Sequence, residues 1–163
     1  MQIYLLRHGI AEAAPPGMAD ADRALTPEGK TKIRGLARMA AAIGVRPTLV
    51  LSSPFKRAVM TAQTAAEAFG AATEPVTTKA LLPDARPEAV WDEIRAHQQE
   101  GSILLVGHEP LFSALGAYLL GAPQLRIDFK KGALLCLEAE NFGPQPRGVL
   151  KWFVTSQFAS AMV

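Results

Sequence analysis

The sequence predicts a three-layer α/β/α sandwich on a mainly parallel sheet with an antiparallel edge strand. Three observations carry this. Short apolar runs of strand type alternate with segments of helical period, which implies parallel strands with helices on both faces. The helical segments are punctuated by openings at Thr26-Pro27, Ser53-Pro54 and Pro110 and closings at Gly44, Gly70 and Gly121. The last two strand-like runs follow one another with only a turn between them, so they pair antiparallel.

Gln2–Leu6 is apolar with β-branched and aromatic members and reads as a buried strand that stops at Arg7-His8-Gly9. Residues 10–24, rich in Ala, Pro, Gly and Asp, read as a loop. Thr26 as N-cap, Pro27 at N1 and Glu28 in the first turn open a helix, in which Ile33, Leu36, Ala37, Ala40 and Ile43 recur at helical spacing. Gly44 closes it. Thr48–Leu51 is a second strand. Ser53-Pro54 repeats the opening signal for a helix over Phe55–Phe69, closed by Gly70. A short strand falls at Val76–Thr78 and a helix at 87–99. Ile103–Val106 is a further buried strand, ending at Gly107-His108-Glu109, after which Pro110 opens a helix to Leu120. Ala133–Glu138 and Val149–Thr155 are the closing strands, joined by the Gly/Pro-rich turn Asn141–Gly148.

At 163 residues the chain fits a single domain, against about 150 residues per domain, and 49% hydrophobic residues can fill its core. The net charge of +2 is too small a footprint for nucleic acid or a polybasic membrane surface. One cysteine, Cys136, excludes an internal disulfide and a cysteine-cluster zinc site. No run reaches the roughly 18 apolar residues of a membrane span. The opening MQIYLLRHG has its first basic residue after the apolar stretch, the reverse of a secretory signal, so a cytoplasmic protein is expected.

Chemistry-bearing residues concentrate at three strand exits: Arg7-His8-Gly9, the segment Ser52–Arg57, and Gly107-His108-Glu109-Pro110. Ligands of open α/β sheets bind outside the carboxyl ends of the strands. Parallel strands would therefore gather Arg7, Arg57, His8, His108 and helix N-termini into one site. Helix N-termini favour an anion, and two guanidinium forks favour a carboxylate or phosphate. Each residue has a plainer reading: His8 and His108 as turn histidines, Arg57 as a surface residue. Their coincidence at strand exits favours a shared site. His97 reads as part of a solvated helix face and Cys136 as core. Thr61 and Thr64 share the helix face of Arg57 and read as packing residues. No G-x-S-x-G elbow, Walker loop or G-x-G-x-x-G run is present. Two histidines without a carboxylate cluster make a poor metal site. An anion site with a nucleophilic histidine remains; imidazole can carry a phosphoryl group covalently.

These residues resemble a known family. Leu6-Arg7-His8-Gly9 is similar to the signature of the histidine phosphatase (phosphoglycerate-mutase-like) superfamily. Leu25-Thr26 with Gly29, Ser52-Ser53-Pro54 with Arg57-Ala58 and Gln63-Thr64, and Gly107-His108-Glu109-Pro110 follow in its order. Within it, the opening, the compact size and the Ser-Pro-Phe-x-Arg-Ala segment most resemble SixA-type phosphohistidine phosphatases. The resemblance implies His8 as nucleophile, Arg7 and Arg57 as clamps on the phosphoryl oxygens, and His108 as a donor to the same oxygens. It implies no metal and no organic cofactor. Ile10 and alanines stand where larger members carry polar residues, which leaves Glu12 the nearest charge in that loop. Asp84, in Leu82-Pro83-Asp84, falls where the family places an acidic residue and is the candidate proton donor. Glu109 is a second candidate at the phosphate site, against its plainer role as a first-turn acid.

The expected activity is removal of phosphate from phosphohistidine on a protein. Residues 70–102 leave little material for a lid, and an imidazole leaving group tolerates a poor acid. The alternatives are a phosphatase for small phosphate esters or sugar phosphates, and a phosphate-binding module without turnover. A phosphomutase, which must shield its intermediate from water, fits least.

Overall fold

Strand β1 (Gln2–Arg7) is buried on both faces, and its successive side chains alternate between two core layers. In the computed structural model, which describes residues 1–162, Ile3 and Leu5 point to one face and Tyr4 and Leu6 to the other. The elements that follow are α1 (Pro27–Ala42), β2 (Leu49–Ser52), α2 (Lys56–Phe69), β3 (Val76–Thr77), α3 (Pro87–Ala96), β4 (Ser102–Gly107), α4 (Leu111–Leu119), β5 (Leu134–Glu138), β6 (Val149–Val154) and α5 (Ser156–Ala161).

The six strands form one sheet in the order β3-β2-β4-β1-β5-β6. The first four run parallel. β5 is antiparallel to both its neighbours, so the reversed strand lies one place in from the edge and β6, at the edge, returns to the common direction. On one face, α3 and α4 bring Trp91, Ile94, Phe112 and Leu115 onto Ile3, Leu5, Ile103 and Leu105. On the other, α1 and α2 pack Ile33, Leu36, Ala58, Ala62 and Phe69 onto Tyr4, Leu6, Leu104 and Val106. Alanines dominate the second layer, and small side chains let those helices sit close to the sheet. Leu6 and Val106 are fully buried beside the strand exits; truncating Leu6 to Ala costs about 2–5 kcal/mol. No helix among the described residues is long and apolar enough to cross a membrane.

Register places the site. Arg7 pairs with Gly107 and Ser52 with Val106, so β1, β4 and β2 end at one level. β5 enters at that same edge, opposite Leu6. Four local differences from the sequence expectation stand out. Helix α2 starts at Lys56 with Phe55 as N-cap and no side-chain cap, because Phe55 has no polar side chain; the Ser53 hydroxyl, two residues earlier, takes the Phe55 N–H and meets His108. Thr155 does not extend β6; its hydroxyl caps α5, a helix too short to show a period. One-turn 3-10 helices form at Asp20–Asp22 and Lys79–Leu81, inside segments that read as irregular. Helix α3 ends at Ala96, short of residue 99, and His97–Glu100 finish in turns.

Candidate active site

The His8 backbone is held on every side. Its N–H donates to the Gly107 carbonyl at 3.0 Å, one step past the β1–β4 ladder. The Gly132 N–H bridges the Arg7 and His8 carbonyls, 3.1 Å from each. The Gly9 N–H donates to Thr61 Oγ1 at 3.1 Å, and that hydroxyl donates to the Arg57 carbonyl at 2.7 Å. Gly9 is required for space, since its φ is not positive. A Cβ there would lie 3.0 Å from Leu25 Cδ1 and 3.1 Å from Ile33 Cγ1.

The His8 ring is 6% exposed. Nδ1 lies 2.8 Å from the Gly9 carbonyl, and Arg57 Nε donates to Nε2 at 3.3 Å. A carbonyl can only accept and a guanidinium can only donate, so the proton sits on Nδ1 and the lone pair on Nε2. Burial pushes the His8 pKa down to about 4; the Gly9 hydrogen bond opposes this, and Arg57, Arg7 and Lys131 add to it. At neutral pH the ring is therefore uncharged, with Nε2 nucleophilic.

Arg57, the second residue of α2, is 6% exposed, with its guanidinium 5.1 Å from the Phe55 ring. Its two terminal nitrogens are occupied: Nη1 by the Asp20 carbonyl at 2.9 Å, Nη2 by the Asp20 carboxylate at 3.1 Å. Arg7 donates from Nη1 to the Phe129 carbonyl at 2.8 Å, while its buried Nε has no partner. Burial also lowers the Arg7 pKa, opposed by the Glu109 charge. The His108 ring centre lies 5.2 Å from that of His8. Its Nε2 meets Ser53 Oγ at 2.7 Å, and its Nδ1 is buried without a partner. Burial, then His8 and Arg57, drive the His108 pKa down to about 3. Two arginines, two neutral histidines and two unpartnered buried nitrogens thus converge, an arrangement suited to an oxyanion.

Other sequence candidates fall differently. Glu109 lies just before the N-cap of α4, outside its first turn, and its Oε1 accepts from the Ser113 N–H at 2.6 Å, which ties it to that helix N-terminus. Asp84 is exposed, and no hydrogen bond or ion pair among the described residues joins it to the four site residues. Thr64 bonds back to the Met60 carbonyl as a packing residue; Thr61 holds the nucleophile turn. His97 pairs with Glu93 at 3.8 Å, and Cys136 is buried in β5. Among the described residues no three His, Cys, Asp or Glu side chains form a metal-binding group. Beside Arg7, a recess of about 340 Å³ is lined by Gly9, Lys32, Lys130, Lys131 and Ser156, with no acidic residue. Sequence reasoning did not find Asp20, because a loop residue reaching across to α2 has no periodic signal. It read Ser53 as a cap, although its place at a strand exit was a usable cue.

The model of the histidine phosphatase superfamily (branch 1) matches residues 3–84. The chain belongs to this superfamily. The chain is 30% identical to an uncharacterized protein of Picosynechococcus sp., over 85% of its own length and 86% of the relative. Its fold matches that of the protein histidine phosphatase SixA complexed with tungstate, with a TM-score of 0.88, 24% identity and coverage of 97% and 99% of the two chains. A protein of Agrobacterium tumefaciens assigned as the phosphohistidine phosphatase SixA is 31% identical, with a TM-score of 0.82 and coverage of 94% and 97%. Mycobacterial glucosyl-3-phosphoglycerate phosphatase shares the fold at 17% identity, with a TM-score of 0.69 and coverage of 94% and 99%. Membership of the histidine phosphatases supports phosphatase activity for this chain.

Proposed function

We propose that this histidine phosphatase dephosphorylates phosphohistidine on a protein, through a phosphohistidine on its own His8 and without a metal or organic cofactor. The observation that carries the mechanism is the state of His8: neutral, with Nδ1–H locked on the Gly9 carbonyl and the lone pair on Nε2, where it accepts from Arg57 Nε until a phosphoryl group takes that place. Nε2 forms the bond to phosphorus as the bond to the leaving nitrogen breaks, and the departing imidazole takes up a proton from water. The phosphorylated ring keeps its Nδ1 proton, and the Gly9 carbonyl supports the resulting positive charge. Arg7, Arg57 and His108 hold the phosphoryl oxygens and offset their charge, the main source of rate in phosphoryl transfer. Water then attacks phosphorus, the P–Nε2 bond breaks, and neutral His8 returns.

The substrate class rests on the leaving group. An alkoxide needs a proton in the transition state; an imidazole is far less demanding. The carboxylate bonded to this site is Asp20, and its hydrogen bond to Arg23, followed by those to Arg57, holds its pKa below the ordinary range. It is therefore a poor acid. Asp84 is the remaining donor candidate, with Glu109 behind it. The lysine-lined recess beside Arg7 suits an acidic protein surface. The shared fold with a sugar-phosphate phosphatase favours a second reading, in which a small ester is the substrate. Purified protein assayed on a phosphohistidine protein and on a panel of small esters tests the choice. A higher kcat/KM on phosphohistidine is expected, with Asp84→Asn slowing only ester hydrolysis. Faster turnover of any sugar phosphate overturns the proposed substrate.

A further inference from the structure

The Ser53 hydroxyl lies where it was not expected, against the second histidine. Ser53 and His108 are 0% and 1% exposed, so neither has water to satisfy it. Ser53 Oγ has two partners. The Phe55 N–H donates to it at 3.3 Å, and His108 Nε2 lies 2.7 Å away. His108 Nδ1 has no partner. Two proton placements satisfy the short contact, and they differ in what they leave over. If His108 carried its proton on Nε2, Ser53 Oγ would accept from both the Phe55 N–H and the ring. The hydroxyl proton would then be buried with no acceptor, and Nδ1 would be a buried lone pair with no donor. If instead the Ser53 hydroxyl donates to Nε2, its proton is used, its lone pair takes the Phe55 N–H, and the ring proton moves to Nδ1. One group is then left unpaired, the Nδ1–H. An unmet buried polar group is costly, so the second placement, which leaves one and not two, is favoured.

We infer that Ser53 is a positioning residue that fixes His108 as the Nδ1–H tautomer, so that this histidine meets the substrate as a neutral hydrogen-bond donor. The placement also answers a chemical need. A site for a phosphoryl group requires an N–H from His108; with the lone pair turned inward, the ring would repel the oxyanion. Donation from a neutral ring needs no protonation equilibrium, which suits a histidine whose burial disfavours the charged form. Backbone geometry holds the pair together. The Ser53 N–H donates to the Val106 carbonyl at 2.9 Å, which ties this segment directly to the strand that carries His108. The Phe55 ring, its centre 5.1 Å from that of His108 with the two rings steeply inclined, closes the other side. The strand exits of β2 and β4 thus build a three-residue relay, Phe55 N–H to Ser53 to His108, that ends on the free Nδ1–H.

The inference rests on the phosphatase reading only for the identity of the anion; the tautomer itself is a property of the ligand-free protein. Nitrogen-15 NMR of the histidine rings reads it directly. Unsubstituted protein at pH 7 should show His108 with its proton on Nδ1, and Ser53→Ala should lose that single state. Turnover of a generic aryl phosphate should fall on the order of 10²–10³-fold in Ser53→Ala, the scale of one lost oxyanion donor, with kcat affected more than KM. Ser53→Thr, which keeps the hydroxyl, should recover most of it. In a His108→Ala background, Ser53→Ala should cost nothing further, because Ser53 acts through that ring. Nε2–H in the unsubstituted protein overturns the inference, and so does a full additional loss in the double variant. If the protein proves to have no phosphatase activity at all, the NMR result still decides the tautomer on its own.

Discussion

Asp20 occupies the fork of Arg57 that the proposed mechanism gives to the phosphoryl group, so removing its charge should tighten anion binding. The contact is a 3.1 Å pair in which the Arg57 side chain is 7% and the Asp20 side chain 60% exposed. Coulomb's law at that distance gives about 5 kcal/mol at an effective dielectric near 20 and about 1 kcal/mol in water. With the carboxylate mostly in solvent the lower figure applies, in line with measured exposed pairs. Asp20→Asn keeps the shape and deletes the charge, so it should lower the inhibition constant of inorganic phosphate about 5-fold. The assay is competitive inhibition of aryl phosphate hydrolysis, repeated at rising salt. The advantage of the variant should shrink as salt screens the carboxylate in the unsubstituted protein. Weaker phosphate binding by Asp20→Asn would refute the reasoning: Asp20 would then be part of the cradle and not a competitor for it.

Further outcomes follow from the same geometry. Arg57→Lys keeps the charge but loses the planar fork and should cut turnover on the order of 10²–10³-fold; near-normal turnover would show that Arg57 does not touch the transferred group. Thr61→Val should lower stability by about 1–3 kcal/mol in urea unfolding, because the Gly9 N–H loses its acceptor, and Thr61→Ser should restore it. Stability should also fall below pH 6.5. His8 and His108 titrate near 4 and 3 in the folded protein and near 6.5 unfolded, so the unfolded chain binds more protons across that window. Each contributes a slope of about 1.4 kcal/mol per pH unit, flat above pH 7 and separate from carboxylates that titrate lower. Urea midpoints unchanged between pH 7 and pH 5 would contradict the buried, neutral state of both rings.

The sheet was legible because its strands are short apolar runs bounded by Gly, Pro and capping residues. Thr26 does cap α1, accepting from the Gly29 N–H at 2.9 Å. His8, Arg7, Arg57 and His108 were legible together because parallel pairing brings strand exits to one edge, and Arg7 opposite Gly107 is that pairing. Local pattern did not reveal what depends on distant partners. Ser53-Pro54 has the form of a helix start, yet the hydroxyl bonds to a histidine 55 positions away. Asp20 reaches Arg57 from a loop with no period, and the reversal of β5 inside the sheet depends on strand order, which sequence spacing does not encode.

The central claim is that His8 carries the phosphoryl group. Rapid alkaline quenching during turnover of labelled aryl phosphate tests it most directly. An acid-labile, base-stable label should appear on the peptide containing His8, and His8→Ala should lose both label and activity. Label on Ser52 or Ser53, or undiminished turnover in His8→Ala, would contradict the account.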